Sequence, residues 1–263
     1  MLANLPTPCI QGILNVTPDS FSEGKYFASI TDTINRGLGL IAQGAHILDI
    51  GGESTRPGYS PVSATEELQR ILPIINGLIA HSIYISVDTY KPSVMKAVLA
   101  AGVNMINDVN ALQGEDDSGS AIDIVRNSDC RLIIMDGFSL ESQAQKRTGI
   151  GLVTRLSMRY EALLQAGIEA SRIIIDPGIG FDKHLEDNLD CIRHLPQLKQ
   201  IAPVLIGGSR KSMLGTITNK AVDMRMPASI ALALLAVQRG ASVVRVHDVC
   251  ATVDAIKVWQ AVY

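Results

Sequence analysis

Aromatic side chains are scarce in this chain, 4% of 263 residues with a single tryptophan, so any core must be built from Ile, Val, Leu and Ala, within the 47% of residues that are hydrophobic. Positive charge is not in excess either. A formal net charge of −3 provides no global basic field to gather a polyanion, and nucleic acid is not an expected partner. The four cysteines, Cys9, Cys130, Cys191 and Cys250, lie far apart with no C-x-x-C pair and no histidines at zinc-finger spacing. That excludes a disulfide framework and a structural zinc site, and suits a reducing cytosol. No apolar run approaches the ~18 residues a bilayer span needs. The opening MLANLPTPCIQ lacks a basic segment followed by a long apolar one, so a cytoplasmic protein without a membrane association is expected. Low-complexity tracts, linkers and internal repeats are missing too.

What is present is an alternation of short β-branched runs with longer amphipathic segments, the pattern of successive βαβ units. Eight such runs occur: CIQGILNV, AHILDIG, IYISVD, VNMIND, RLIIMD, RIIIDPG, PVLIGG and VVRVHD. Helical periodicity marks residues 31–43, 64–80, 93–101, 152–166, 228–238 and 249–259, and Gly44, Gly102, Gly167 and Gly240 stand where such helices end. Eight βα units without a compositional break predict one domain over residues 1–263, a single (β/α)8 TIM barrel, with an open doubly wound sheet as the alternative. Two long βα loops, residues 19–28 and 53–64, have the length of active-site lids.

A barrel places its chemistry at the carboxyl ends of its strands. Polar residues gather there: Asn15, Asp49, Asp88, Asn107, Asp108, Asp136, Asp176, the stretch Ser209 to Lys211, then Arg245, His247 and Asp248. Some of these serve turns or helix caps, and Asp248 is expected among the caps. After the seventh run, GGSRKSMLG sets glycines, hydroxyls, an arginine and a lysine at a helix start, chemistry suited to an anion, with Arg245 and His247 able to add donors. The bland reading is a solvated basic loop. Asp88, Asn107 and Asp176 are predicted to point into the mouth, where carboxylates and an amide can grip a planar heterocycle through paired hydrogen bonds. A metal cage of the same oxygens is the rival. In the loops NVTPDSFSEG and GGESTRPG, Asn15 and Asp19 offer oxygens to a divalent cation, while Thr55 and Arg56 offer donors to a phosphate or carboxylate.

The strings GILNVTPDSFSEG, GAHILDIGGESTRPG, ISVDTYKPSV, INDVNAL, DPGIGFDK, GGSRKS and RVHDV, in that order over nearly the whole chain, resemble the dihydropteroate synthase family. The resemblance implies a transferase of folate biosynthesis and a sulfonamide target. Such enzymes condense 6-hydroxymethyl-7,8-dihydropterin diphosphate with p-aminobenzoate, giving 7,8-dihydropteroate and pyrophosphate by loss of pyrophosphate before the amine attacks. It further implies that Asp88, Asn107, Met135, Asp176, Gly207, Lys211 and Arg245 hold the pterin. Asn15, Thr55, Arg56, Arg245 and His247 would face the diphosphate, with Mg²⁺ on Asn15. Phe21, Thr55, Pro57, Phe181, Lys211 and Ser212 would surround p-aminobenzoate, and Asp88, Asp176, Lys211 and Arg245 would be the catalytic set. A homodimer is the implied assembly.

Three departures from the family pattern stand out. LIIMDGFSLES replaces an M-H-M-x-G-like string, which predicts a remodelled pterin wall with Asp136 as an added acid nearby. Asp182 stands where glycine is common, and Met226 to Ser229 replaces a Gly-Ser helix start. Two rival functions carry different expectations. A methyltransferase acting on methyltetrahydrofolate needs no diphosphate site, and a pterin-binding protein without turnover would rest on Asp136.

Overall fold

Short strands rich in Ile, Val and Leu bury both faces when helices return the chain to the same edge of a sheet each time, and this chain closes that sheet into a barrel. The computed structural model describes residues 6–16, 29–53, 60–137 and 149–262. Among them the barrel strands are β1 (Cys9–Asn15), β2 (Ile47–Gly51), β3 (Ile85–Asp88), β4 (Met105–Asp108), β5 (Arg131–Met135), β6 (Ile173–Asp176), β7 (Leu205–Ile206) and β8 (Val243–Val246). Their pairings are parallel and run β6-β5-β4-β3-β2-β1-β8-β7. A bridge between Ile175 and Val204 joins the two ends of that sheet and closes the ring.

Around it lie α1 (Ile30–Ala42), α2 (Ala64–Ile79), α3 (Pro92–Ala100), α4 (Ala121–Arg126), α5 (Gly149–Gln165), α6 (Leu185–Arg193), α7 (Leu195–Leu198), α8 (Ser212–Thr218), α9 (Met226–Gln238) and α10 (Val249–Val262). The helix starts follow local chemistry. Ser29 and Asp32 form a capping box on α1, Ser63 accepts from the amide of Glu66, and Pro92 stands in the first turn of α3. The ends do so as well: Gly44 and Gly240 take φ of +104° and +108°, the left-handed turn after a helix that a side chain resists. A small antiparallel hairpin, Glu115–Asp116 with Gly119–Ser120, precedes α4.

Period-two alternation splits the strands between two cores. Ile10, Leu14, Leu48, Ile50, Val87, Ile106, Leu132, Ile134, Ile175 and Val244 face outward and pack with the helices. Cys9, Ile47, Met105, Ile133, Ile174, Leu205 and Val243 fill the inside of the barrel with Tyr84 beside them. Gln11, Asp49 and Ser86, on the inward register, are fully buried. The apolar plug therefore occupies the amino-terminal part of the barrel, and polar side chains occupy the part nearest the strand tips. Burial holds Cys9 in that plug as a thiol, its pKa pushed up to about 12, so it is no nucleophile.

Candidate active site

Neighbouring strands bring the inward residues of the middle of the sheet to one level. Asn15 pairs with Gly51, Gly51 with Asp88, and Asp88 with Asn107. Across the ring, Met135 pairs with Asp176. Arg245 reaches over from β8: its Nε donates to Asp49 Oδ2 at 2.5 Å and its Nη2 to Asp88 Oδ2 at 2.9 Å. Asn107 Nδ2 donates to the same Asp49 oxygen at 3.3 Å. The sequence expectation that Asp88, Asn107, Asp176 and Arg245 meet at one rim is met by these contacts and by the charges around Asp176.

Burial sets the proton affinities. Desolvation raises the Asp88 carboxyl above the usual range, against the pull of Arg245, and the negative charges of Asp49 and Glu67 push the same way as burial. Asp176 is raised to about 6 by burial, moderated by the Gly178 amide, which donates to Oδ1 at 2.8 Å, and by Lys211, Arg245 and Lys183. Two buried carboxylates with elevated proton affinity beside fixed cations form a pocket tuned for a ligand that brings N–H donors.

On the other side of the mouth, Lys211 Nζ lies 4.3 Å from the centroid of the Phe181 ring. Gly180 makes room for it; a Cβ there would come within 2.9 Å of Lys211 Cδ. Gly207 lies between Arg245 and Asp176, where a Cβ would be 3.9 Å from Arg245 Cδ and 4.0 Å from Asp176 Oδ2. A side chain at Gly207 would cover the two groups a flat ligand would touch. Met135 is buried, its Cγ against Gly178. Ser212 opens α8 directly after Lys211, and His247 Nδ1 lies 3.0 Å from Ser209 Oγ, so the seventh and eighth strand tips are tied together. Phe21, Thr55, Arg56 and Pro57, and Asp19 with them, lie outside the described residues.

Several sequence expectations need correction. Asp136 does not add an acid to the pocket. Arg155 of α5 grips it with Nε and Nη2 at 2.8 and 2.7 Å, and Lys183 Nζ stands 3.4 Å from its carboxylate, so its charge is spent behind the strand tip. Arg210, grouped with the anion-binding cations, is engaged by Asp248 at 3.1 and 2.5 Å. Asp248, expected as a cap, therefore spends its carboxylate on Arg210, although its backbone carbonyl does accept the Thr252 amide. Asp108 follows the turn reading: its carboxylate accepts the Asn110 and Leu112 amides at 2.7 Å each. Asp182 has φ of +45°, which explains why glycine suits that position.

Sequence reasoning gave no role to Asp49, although its inward register beneath Gly51 was readable from the period-two pattern. Nor was the buried network of Lys91 visible, because it draws on three separate segments. Lys91 Nζ donates to Glu53 and, at 2.5 Å, to Glu67, while Tyr90 OH donates to Glu53 at 3.0 Å. The amide of Val62 donates to the same glutamate at 3.3 Å, joining the two flanks of the second βα loop. Arg225 likewise donates to the carbonyl of Arg210 at 3.1 Å and supports the turn before Lys211.

Residues 11–247 match a family described as pterin binding enzyme. The dihydropteroate synthase of Haemophilus influenzae is 40% identical over 263 residues, covering 98% of this chain and 95% of its own. Among solved structures, the Xanthomonas albilineans dihydropteroate synthase with 4-aminobenzoic acid superposes with a TM-score of 0.90 at 44% identity, covering 98% of this chain and 93% of its own. The same organism's enzyme in complex with 7,8-dihydropteroate gives 0.88 at 42% identity, covering 98% and 95%.

Proposed function

The chain belongs to the pterin-binding enzyme family and to its dihydropteroate synthases, and from that premise we propose a role for each group at the barrel mouth. The reaction is the transfer of a pterin-methyl group from a diphosphate to the amine of p-aminobenzoate, with pyrophosphate as the second product. The observation that carries the assignment of roles is the meeting of Arg245 with Asp49 and Asp88 at the level of Asn107, opposite Asp176 and Lys211.

The pterin lies on this floor. Asp88 and Asp176 accept its ring N–H and amino donors, Asn107 and Lys211 fix its orientation, and Arg245, with Gly207 leaving the approach open, stacks on its face. Met135 supplies apolar wall. The diphosphate lies against Asn15, Thr55, Arg56, Arg245 and His247, and p-aminobenzoate among Phe21, Thr55, Pro57, Phe181, Lys211 and Ser212. The C–O bond at the pterin methylene breaks first, its electron pair leaving with pyrophosphate. The positive charge then spreads into the ring, where Asp88 and Asp176 offset it; the amine lone pair forms the C–N bond and its proton passes to solvent. No covalent enzyme intermediate is needed, so the work is electrostatic and positional.

Asn15 ends β1 with its Oδ1 near Gly51: a Cβ built on that glycine would lie 3.8 Å from it. No cluster of three His, Cys, Asp or Glu that could cage a metal occurs among the described residues. One hard oxygen at the mouth fits Mg²⁺ that arrives on a diphosphate and keeps most of its waters. Such an ion would neutralise charge on the leaving group.

The assembly we propose is a homodimer. Ile217, Val222, Met224, Met226 and Leu235 are exposed on α8, α9 and the turn between them, while the other face of α9 is buried, so this helix serves core and surface at once. Sedimentation should give twice the 28.2 kDa chain mass, and Leu235→Glu should give the monomer; a monomeric wild type at micromolar concentration rejects the assembly. No helix among the described residues is long and apolar enough to cross a membrane. A cytoplasmic location is proposed on the four free cysteines. The decisive assay follows pyrophosphate release from the pterin diphosphate with and without p-aminobenzoate. Sustained turnover that requires both substrates is expected; release indifferent to p-aminobenzoate would overturn the roles given to Lys211 and Ser212.

A further inference from the structure

Asp49 is fully buried inside the barrel, and a carboxylate there costs several kcal/mol unless its partners are held in good geometry. Its partners are two of the groups assigned to the pterin. Oδ2 receives both Arg245 Nε, at 2.5 Å, and Asn107 Nδ2, at 3.3 Å, while Oδ1 meets no protein partner among the described residues. We propose that Asp49 is a positioning residue: from beneath the floor it holds the Arg245 guanidinium and the Asn107 amide in the orientations in which the pterin meets them. The inference rests on the functional reading above and names a residue outside it.

The geometry carries the argument. A guanidinium fixed at one nitrogen can still swing as a plane about the Cδ–Nε bond, whereas Arg245 is fixed at two, Nε by Asp49 on β2 and Nη2 by Asp88 on β3. Those two strands are neighbours, Gly51 pairing with Asp88, so both anchors share one rigid element. The plane available to stack on a ring is thereby set before any ligand enters. The Asn107 contact works on a different ambiguity. An amide can present either oxygen or nitrogen to a ligand, and placing Nδ2 on Asp49 leaves Oδ1 as the edge for a ring N–H to find. Asp49 has no exposure through which to touch a substrate itself, which separates it from Asp88 and Asp176.

A second effect distinguishes positioning from space filling. The groups acting on Asp88 are Arg245, Asp49, Glu67 and Lys211, and of these Asp49 and Glu67 raise its proton affinity. Asp49→Asn keeps the shape, removes one charge and leaves Arg245 to Asp88 alone. Both changes favour the ionised form of Asp88.

The experiment is steady-state kinetics of Asp49→Asn against wild type in the pyrophosphate assay across pH. We expect KM for the pterin diphosphate to rise about ten- to a hundredfold, as for a lost charge-assisted hydrogen bond, with KM for p-aminobenzoate within about threefold. The acid limb of kcat/KM should move to lower pH. Unchanged pterin KM with an unmoved acid limb overturns the proposal, as does an equal rise in both KM values. A wild-type measurement guards against a variant that fails to fold. In the ligand-free enzyme labelled with nitrogen-15 at arginine, the Nε–H signal lost in Arg245→Lys should exchange slowly with solvent, and fast exchange also overturns the proposal. A wild type without turnover would sink the functional reading; an active wild type with Asp49→Asn indistinguishable from it sinks only this inference.

Discussion

Asp176 combines a proton affinity raised to about 6 by burial with a position where a pterin would bring hydrogen-bond donors. In the unliganded protein that proton stabilises the fold; the contribution is complete below the unfolded value of 3.8 and is lost as pH rises from there through about 6. Ring N–H donors favour the carboxylate, so binding should release a proton near pH 6, and pterin affinity should drop as the solution is acidified through that range. Calorimetry in buffers of different ionisation heat measures this directly, and equal apparent enthalpies in all of them would refute it. Lys211 makes a simpler case. Lys211→Ala should cut kcat/KM by roughly a hundredfold while the melting temperature stays within a few degrees, since Nζ faces the Phe181 ring at the mouth and not the core; unchanged turnover would remove it from the site. Both residues were legible from strand-tip placement. Asp136 was not, because whether a strand-tip acid faces the pocket or a helix depends on Arg155, nineteen positions away and on a different element. With its charge neutralised there, the one feature that favoured a binding protein without turnover loses its force.

Helices were legible by length and by apolar content together. The helices foreseen at 31–43, 64–80, 93–101, 152–166, 228–238 and 249–259 appear as α1, α2, α3, α5, α9 and α10, with most boundaries shifted by one to three residues. Those unforeseen are α4, α7 and α8, of six, four and seven residues, too short for an apolar stripe to repeat, and α6, which matches α3 in length at nine but is mostly polar, LEDNLDCIR. The lysine network between β2, α2 and α3 belongs to this scale too, since it joins elements that sequence reading treats separately. Glu67 is almost fully buried and Glu53 nearly so, and Lys91 is the cation between them. Lys91→Met should therefore destabilise the fold by about 3–5 kcal/mol, read as a melting temperature roughly 10 °C lower. A loss under about 1 kcal/mol would mean the pair tolerates its own repulsion, contrary to the burial argument.

At the scale of the whole molecule, the barrel was legible from eight βα units, but not how unevenly its circumference is stitched. β1 and β2 share five registered positions, whereas β7 has two residues and meets β6 through the Ile175–Val204 bridge. The hoop is thus thinnest at that bridge, and Asp176 and Gly207 stand on either side of it. A pterin lying on both would act as a clasp, so substrate recognition and the integrity of the hoop become the same set of contacts. Deuterium uptake should reveal this: the Ile175 amide, bonded across the join to the Pro203 carbonyl, should exchange about a hundredfold more slowly at ligand concentrations near 100 Kd. Amides between β1 and β2 should gain far less. An enzyme built this way would be loosest when empty, and its wear in heat or under proteases would track how often it is without its substrate.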